Sequence, residues 1–371
     1  MKAIAAELPS FSPAFAESPA TLPRIAGLAL AHPDAVYTQE DVLERLGLAD
    51  DEFARRIFGR CGVRTRRLRL DDDFLDGTAQ ARTPAIEQML LGEATRAIDE
   101  LALDPAEIGV VVTSSLYTLA GPTLAHRLVE HYAMDPATDK YHVVGVGCAS
   151  AVPLVRLAGQ TLAGRVGGPQ TKALVVAAES MSGILSRARE GDERSKTVGS
   201  SIFGDGCAAA VIELGESTDA GMPGYEPGPT VVASKVHQIA GSLDAVRMQL
   251  STQDSYLHLI RELPDVAAEG LADLVDDFLA VNGLEREAID RWLLHPGGRR
   301  IIESLQEGLE LTHEQAQSSF DVLAEHGNIG TPAILYVMKR SLDERAAEPG
   351  EHALMVTVGP GVTVGLMLLR W

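Results

Sequence analysis

Three polar residues of this 371-residue chain stand at the same kind of junction, where a strand-like run or a loop gives way to a helical pattern. Cys148 follows the β-branched run in YHVVGVGCASAVPLVRLAG, His295 follows RWLL in RWLLHPGGRRIIESL, and Asn328 sits in AEHGNIGTPAILYVMKR. A cysteine at the first turn of a helix meets unpaired backbone N–H groups and the positive end of the helix dipole, and both favour thiolate over thiol. Such a sulfur can attack a thioester carbonyl, with the same N–H groups forming part of an oxyanion hole. An imidazole at a strand end can hold that thiolate or donate to a substrate carbonyl. A neutral amide cannot titrate and is suited to hold an enolate oxygen, so His295 and Asn328 together fit the loss of CO2 from a malonyl thioester. Each residue alone has a plainer reading, as a packed cysteine, a surface or capping histidine, or an N-cap or turn asparagine. The three junctions together point to one active site.

Further side chains surround that idea. Phe203, in SIFGDGCAAAVI, precedes a Gly-Asp-Gly turn, where an aromatic ring either packs in the core or lines the mouth of a buried site. Arg55, Arg56, Arg60, Arg64, Arg66 and Arg67 form a basic segment in an acidic chain. Such arginines are either solvated and paired with Asp50 to Glu52, or grip the phosphates of a nucleotide-tailed substrate such as coenzyme A. Cys207 reads as a small core residue. Three cysteines, without a CxxC pair, give no basis for a disulfide framework or structural zinc, so no metal is expected.

Positioning these groups requires a large folded scaffold. A chain with 46% hydrophobic and 23% charged residues matches a globular α/β enzyme. The formal charge of −20 argues against nonspecific binding to nucleic acid or an anionic membrane surface. No run reaches the length of a membrane span and the N-terminus lacks a signal-type apolar region, so a cytoplasmic protein is expected.

Residues 1–22 read as a loosely held arm rich in Pro, Ser and Ala. Residues 23–220 read as an α/β half carrying the cysteine, and residues 221–371 as a second half carrying the histidine and asparagine. In the first, a strand, a Pro-containing loop and a helix capped by Thr38 lead to a long amphipathic helix from Pro84. Then come the strands IGVVVTSS, ALVVAAES and CAAAVIEL, with the Cys148 helix among them. In the second, TVVASKVHQIA, a long helix, RWLL and two further helices precede a terminal hairpin turned by Gly359, Pro360 and Gly361. The matching grammar of the halves suggests an internal duplication.

GCAS, HPGG and HGN in that order, with IFGDG and the VGPGVTV ending, resemble the type III polyketide synthases, the chalcone synthase-like branch of the thiolase superfamily. The likeness runs from about residue 25 to the end. It implies a thiolase-like αβαβα fold in a homodimer, acting on acyl-CoA and malonyl-CoA with no bound cofactor. Cys148 would carry the acyl starter, His295 would keep it as thiolate, and His295 with Asn328 would promote decarboxylation, followed by Claisen condensation and cyclisation or release. Phe203 would be the gatekeeper, and Arg55, Arg56 and Arg60 would fall where coenzyme A binds. Leu257 stands where plant members commonly carry a second gatekeeping phenylalanine, and Met248 near a position often held by glycine. With Met181, Ile184 and the turn ending at Gly361, they would shape the cavity. The alternative is a single-condensation ketoacyl synthase III-like enzyme or a non-elongating acyltransferase.

Overall fold

The computed structural model describes residues 22–117, 121–165, 169–189, 194–215, 228–250, 252 and 255–371. Apart from Leu22, the arm expected over residues 1–22 lies outside them. The strands are β1 (Pro23–Ala31), β2 (Val36–Thr38), β3 (Thr65–Arg67), β4 (Ile108–Ser114), β5 (Asp139–Val143), β6 (Lys172–Glu179), β7 (Gly206–Leu214), β8 (Thr230–Gln238), β9 (Val246–Leu250), β10 (Ser255–Leu259), β11 (Arg291–Leu294), β12 (His352–Gly359) and β13 (Thr363–Arg370). The helices are α1 (Gln39–Arg45), α2 (Glu52–Phe58), α3 (Asp72–Asp76), α4 (Ala79–Glu100), α5 (Leu124–His131), α6 (Ala151–Gly164), α7 (Arg194–Ile202), α8 (Leu263–Ala268), α9 (Leu271–Val281), α10 (Arg299–Gly308), α11 (His313–His326) and α12 (Ala333–Glu344).

Nine strands form one mixed sheet in the order β11-β12-β13-β8-β1-β7-β6-β4-β5. Its two halves meet at the pairing of β1 with β8. Side chains alternate between faces with period two. On β6, Ala173, Val175 and Ala177 join the central core while Leu174, Val176 and Ala178 join an outer one. On β13, Met367 and Leu369 face the centre, and Leu366 and Leu368 the opposite outer core. Both faces are covered, which is why these strands read as unbroken apolar runs.

The central core is filled by α6 and α12, each touching strands of both halves. α12 buries six consecutive residues, Ala333 to Met338, as a helix enclosed on all sides must. Outside the first half lie α4 and α5, and outside the second α9, α10 and α11. The layer order is therefore αβαβα, the thiolase-like arrangement expected from the sequence. A fourth cluster, built from α1, α2, Leu68 and Leu70 after β3, and the Met181–Ile184 turn, sits beside the layers.

Local chemistry explains several boundaries. Thr38 caps α1 in a reciprocal pair with Asp41, as read from the sequence. The long helix differs from the reading: α4 starts at Ala79 under a Thr78 cap and contains Pro84, rather than beginning there. The Thr78 hydroxyl accepts from the Ala81 amide and fixes the start one turn earlier. The expected hairpin of β12 and β13 pairs in register from His352↔Arg370 to Gly359↔Thr363. The β9–β10 hairpin, absent from the sequence reading, forms its own two-stranded sheet.

Candidate active site

β5 ends at Val143, and the chain turns through Gly145 and Gly147, both at positive φ, before Cys148 enters a 3₁₀ turn ahead of α6. Two contacts hold this turn. The Thr331 hydroxyl donates to the Gly147 carbonyl at 2.9 Å. The Gly359–Pro360 hairpin turn presses on it so closely that a Cβ at Gly359 would lie 2.5 Å from the Val146 oxygen.

His295 extends β11 by one residue, its amide donating to the Val356 carbonyl at 2.9 Å. The ring is 2% exposed, and its Cδ2–Nε2 edge lies against Gly297, where a Cβ would be 3.0 Å from Cδ2. Nδ1 is buried with no hydrogen-bond partner among the described residues.

Asn328 lies four residues before the Pro332 cap of α12, so it is not the cap. Its amide donates to the Ile202 carbonyl at 2.7 Å, and its carbonyl accepts from Gly204 at 3.1 Å. These bonds form a bridge with Phe203. The side chain is fixed from two sides: Nδ2 donates to the Gly297 carbonyl at 3.3 Å and Oδ1 accepts from the Gly330 amide at 2.9 Å. Cys148 Sγ is 4.0 Å from Oδ1. Both central helices thus begin beside the same chamber.

Cys148, His295 and Asn328 line one cavity of about 100 Å³. That is several times the ~10–15 Å³ needed for one water, so it is a chamber rather than a packing flaw. Burial pushes the Cys148 thiol up to about 12, with the Glu179 carboxyl adding to the effect, against lowering bonds from Asn328 and its own amide. Burial also pushes His295 down to about 3. Both shifts run against the standing thiolate expected at a helix start, because burial disfavours each charge alone.

Phe203, Met181, Met248 and Leu257 line the same cavity. Met248 and Leu257 face each other across the β9–β10 hairpin. Ile184 is buried with Met181 in the neighbouring cluster and is not part of the lining. Gly361 also stands back from it: Gly359 and Pro360 make the contact, while the Gly361 carbonyl accepts from the Ser242 hydroxyl. Arg55, Arg56 and Arg60 are exposed on and just after α2, away from the lining. They form no ion pair among the described residues, and Asp51 caps α2 through the Ala54 amide instead of pairing with them.

Sequence reasoning missed Glu179, the cavity's carboxyl, at the end of β6. Burial pushes it up to about 8 against hydrogen bonds from the Leu116 amide and Thr331, so it is neutral at pH 7. A glutamate closing an unbroken apolar strand was the available signal. It also missed Asp205, pushed up to about 7 by burial. Asp205 accepts from the Ser182 amide and hydroxyl at 2.7 and 2.6 Å and so fixes the turn carrying Met181. Among the described residues no cluster of His, Cys, Asp or Glu could hold a metal, and no helix is long and apolar enough to cross a membrane.

Two family models match the chain. One, described as FAE1/type III polyketide synthase-like protein, matches residues 34–280, and the other, chalcone and stilbene synthases, C-terminal domain, matches residues 230–371. A 1,3,6,8-tetrahydroxynaphthalene synthase of Streptomyces peucetius subsp. caesius is 30% identical, with 94% of this chain and 93% of that protein covered. An alpha-pyrone synthesis polyketide synthase-like protein of Mycobacterium tuberculosis is 29% identical over 94% of this chain and 91% of its own length. Among solved structures, PKS-I from the brown alga Ectocarpus siliculosus superposes with a TM-score of 0.82 at 25% identity, covering 94% of this chain and 98% of that one.

Proposed function

The chain belongs to the type III polyketide synthase family, and from that premise we propose that Cys148, His295 and Asn328 carry its reaction. The enzyme is an acyltransferase that condenses malonyl-CoA onto an acyl starter, then cyclises or releases the product. The observation that carries the assignment is the meeting of a sulfur, an imidazole and a carboxamide in the lining of one cavity, with Sγ 4.0 Å from Oδ1.

In the loading step Cys148 Sγ attacks the starter thioester carbonyl while its proton passes to His295. The carbon–sulfur bond to coenzyme A breaks, and the departing thiolate takes that proton. Malonyl-CoA then loses CO2, and the electron pair of the broken bond moves onto the thioester oxygen as an enolate. His295 and the second N–H of Asn328 Nδ2 stabilise that oxygen, and because the amide is already anchored little reorganisation is needed. The enolate carbon attacks the Cys148 thioester, a carbon–carbon bond forms, and the bond to Sγ breaks.

Phe203 is the gate between the coenzyme A side and the chamber, with Met181, Met248 and Leu257 as walls. Ile184 backs Met181 from the adjoining cluster, and Gly361 acts through the turn it closes. Arg55, Arg56 and Arg60 offer exposed cations to the coenzyme A phosphates. Leu116, Leu259 and Leu263 extend the apolar wall and favour an aliphatic over a hydroxylated starter. Coenzyme A thioesters are the substrates, and the mechanism needs no metal or organic cofactor. A cytoplasmic homodimer is proposed, with the free edge of β5 and the exposed Tyr141 and Val144 as its contact. The division at 220/221 into two halves is likewise proposed. Incubating the protein with acyl-CoA starters and labelled malonyl-CoA tests the reading; no CO2 release and no extended product with any starter would remove it.

A further inference from the structure

We propose that Arg66 is a positioning residue that locks the Phe203 turn and the Asn328 turn to one another, its guanidinium holding the gate and its stem backing the turn that carries the amide. Arg66 is 0% exposed. Its NH1 donates to the Phe203 carbonyl at 2.8 Å and its NH2 to Gln39 Oε1 at 2.7 Å. Gln39 in turn donates to the Ser201 carbonyl at 2.9 Å, on the segment leading into Phe203.

The side-chain stem runs beneath both turns. A Cβ on Gly204 would lie 3.3 Å from Arg66 Cβ, and one on Gly327 would lie 3.6 Å from Arg66 Cδ. The backbone of the same segment reaches the same two places. Arg67 O accepts from the Asp205 amide at 2.9 Å, while the Arg64 amide donates to Ala324 O at 2.8 Å and the Thr65 hydroxyl to Glu325 O at 3.1 Å. Arg66 therefore lies where the two turns are joined, directly behind the Phe203–Asn328 bridge.

Packing alone does not call for an arginine here. A methionine of similar length would fill the space without the desolvation cost of a buried charge. Burial lowers Arg66 only to about 10, so it remains a cation at neutral pH. What the guanidinium adds is direction: a fork that fixes the Phe203 carbonyl relative to α1. Loosening that fork lets the acyl thioester on Cys148 and the enolate held by Asn328 drift apart, because a small misplacement of reacting atoms costs rate more than binding.

The proposal rests on the assignment of Cys148, His295 and Asn328 above, and Arg66→Met and Arg66→Lys test it. Arg66→Met is expected to fold and still acquire the acyl group at Cys148 by intact mass. Its kcat for extended product should fall at least about tenfold with KM for malonyl-CoA within about threefold, and the CO2 released per product should rise. Arg66→Lys, which keeps a donor for the Phe203 carbonyl, should recover part of kcat. If Arg66→Met does not fold, Gln39→Leu, which removes the acceptor of NH2, should show the same uncoupling to a smaller degree. Wild-type kcat and CO2-to-product ratio in a folded variant, or a lysine variant no better than methionine, would overturn the proposal. Failure of wild-type Cys148 to acylate would instead count against the site assignment.

Discussion

Asn328 Nδ2 donates to the Gly297 carbonyl, 3.3 Å away, joining the turn that follows His295 to the turn that precedes the last central helix. The amide is thereby held between an acceptor on the histidine side and the sulfur of Cys148, 4.0 Å from Oδ1. Its orientation is set before any substrate enters, as electrostatic stabilisation of an enolate requires.

Asn328→Asp keeps the shape but replaces a neutral donor with an anion next to the developing enolate. Malonyl-CoA decarboxylation should fall by about 10²–10³-fold, in the range seen for loss of one such donor. Measuring CO2 release and melting temperature together checks this, because a rate loss of that size with the fold retained separates chemistry from unfolding.

Gly359→Ala places a methyl 2.5 Å from the Val146 oxygen and 2.8 Å from the Ala149 amide nitrogen. Neither atom belongs to a flexible side chain, so the cysteine turn must shift. The variant should lose about 1–3 kcal/mol of stability by denaturant unfolding. Its acylation rate should drop as well; an unchanged rate would mean that the turn does not position Cys148.

Glu179 makes stability fall with rising pH. Its folded value, about 8, lies above the 4.5 of the unfolded chain. Below pH 4.5 both states are protonated, and between 4.5 and 8 only the unfolded state loses its proton, which favours unfolding; above 8 the effect is complete. The total is on the order of 3–5 kcal/mol. Glu179→Gln should therefore melt higher than wild type at pH 8 and about the same at pH 4.5, on top of a decline of the same sign from Asp205. Parallel melting curves across this window would contradict it.

Met248 and Leu257 are directly opposed on β9 and β10 and both line the chamber. Met248→Gly and Leu257→Gly should each admit longer chains, read as a shift of the product distribution in mass spectra. An unchanged distribution would show that this hairpin does not limit length.

The three junction residues were legible because each stands where a strand or loop gives way to a helical pattern, which local sequence sets. The layers were legible for a similar reason, since the unbroken apolar runs of ALVVAAES and AILYVM report burial on both sides. Arg66 was not, because RTRRLRL looks like a solvated basic stretch. Yet Leu68 and Leu70 are buried and Arg66 shares their period-two face, so the register carried a signal that the charge masked. The β9–β10 hairpin was hidden because VRMQL and SYLHL are short and mixed in polarity. Glu179 escaped because the shift of a buried carboxyl depends on tertiary neighbours rather than on the strand that carries it.

Intact-mass and peptide mapping of the protein after brief exposure to an acyl-CoA starter tests the central claim most directly. One acyl group should appear on Cys148, disappear in Cys148→Ala together with extended product, and be consumed when malonyl-CoA is added. An acyl group on another residue, or product formation by the Cys148→Ala protein, would contradict it.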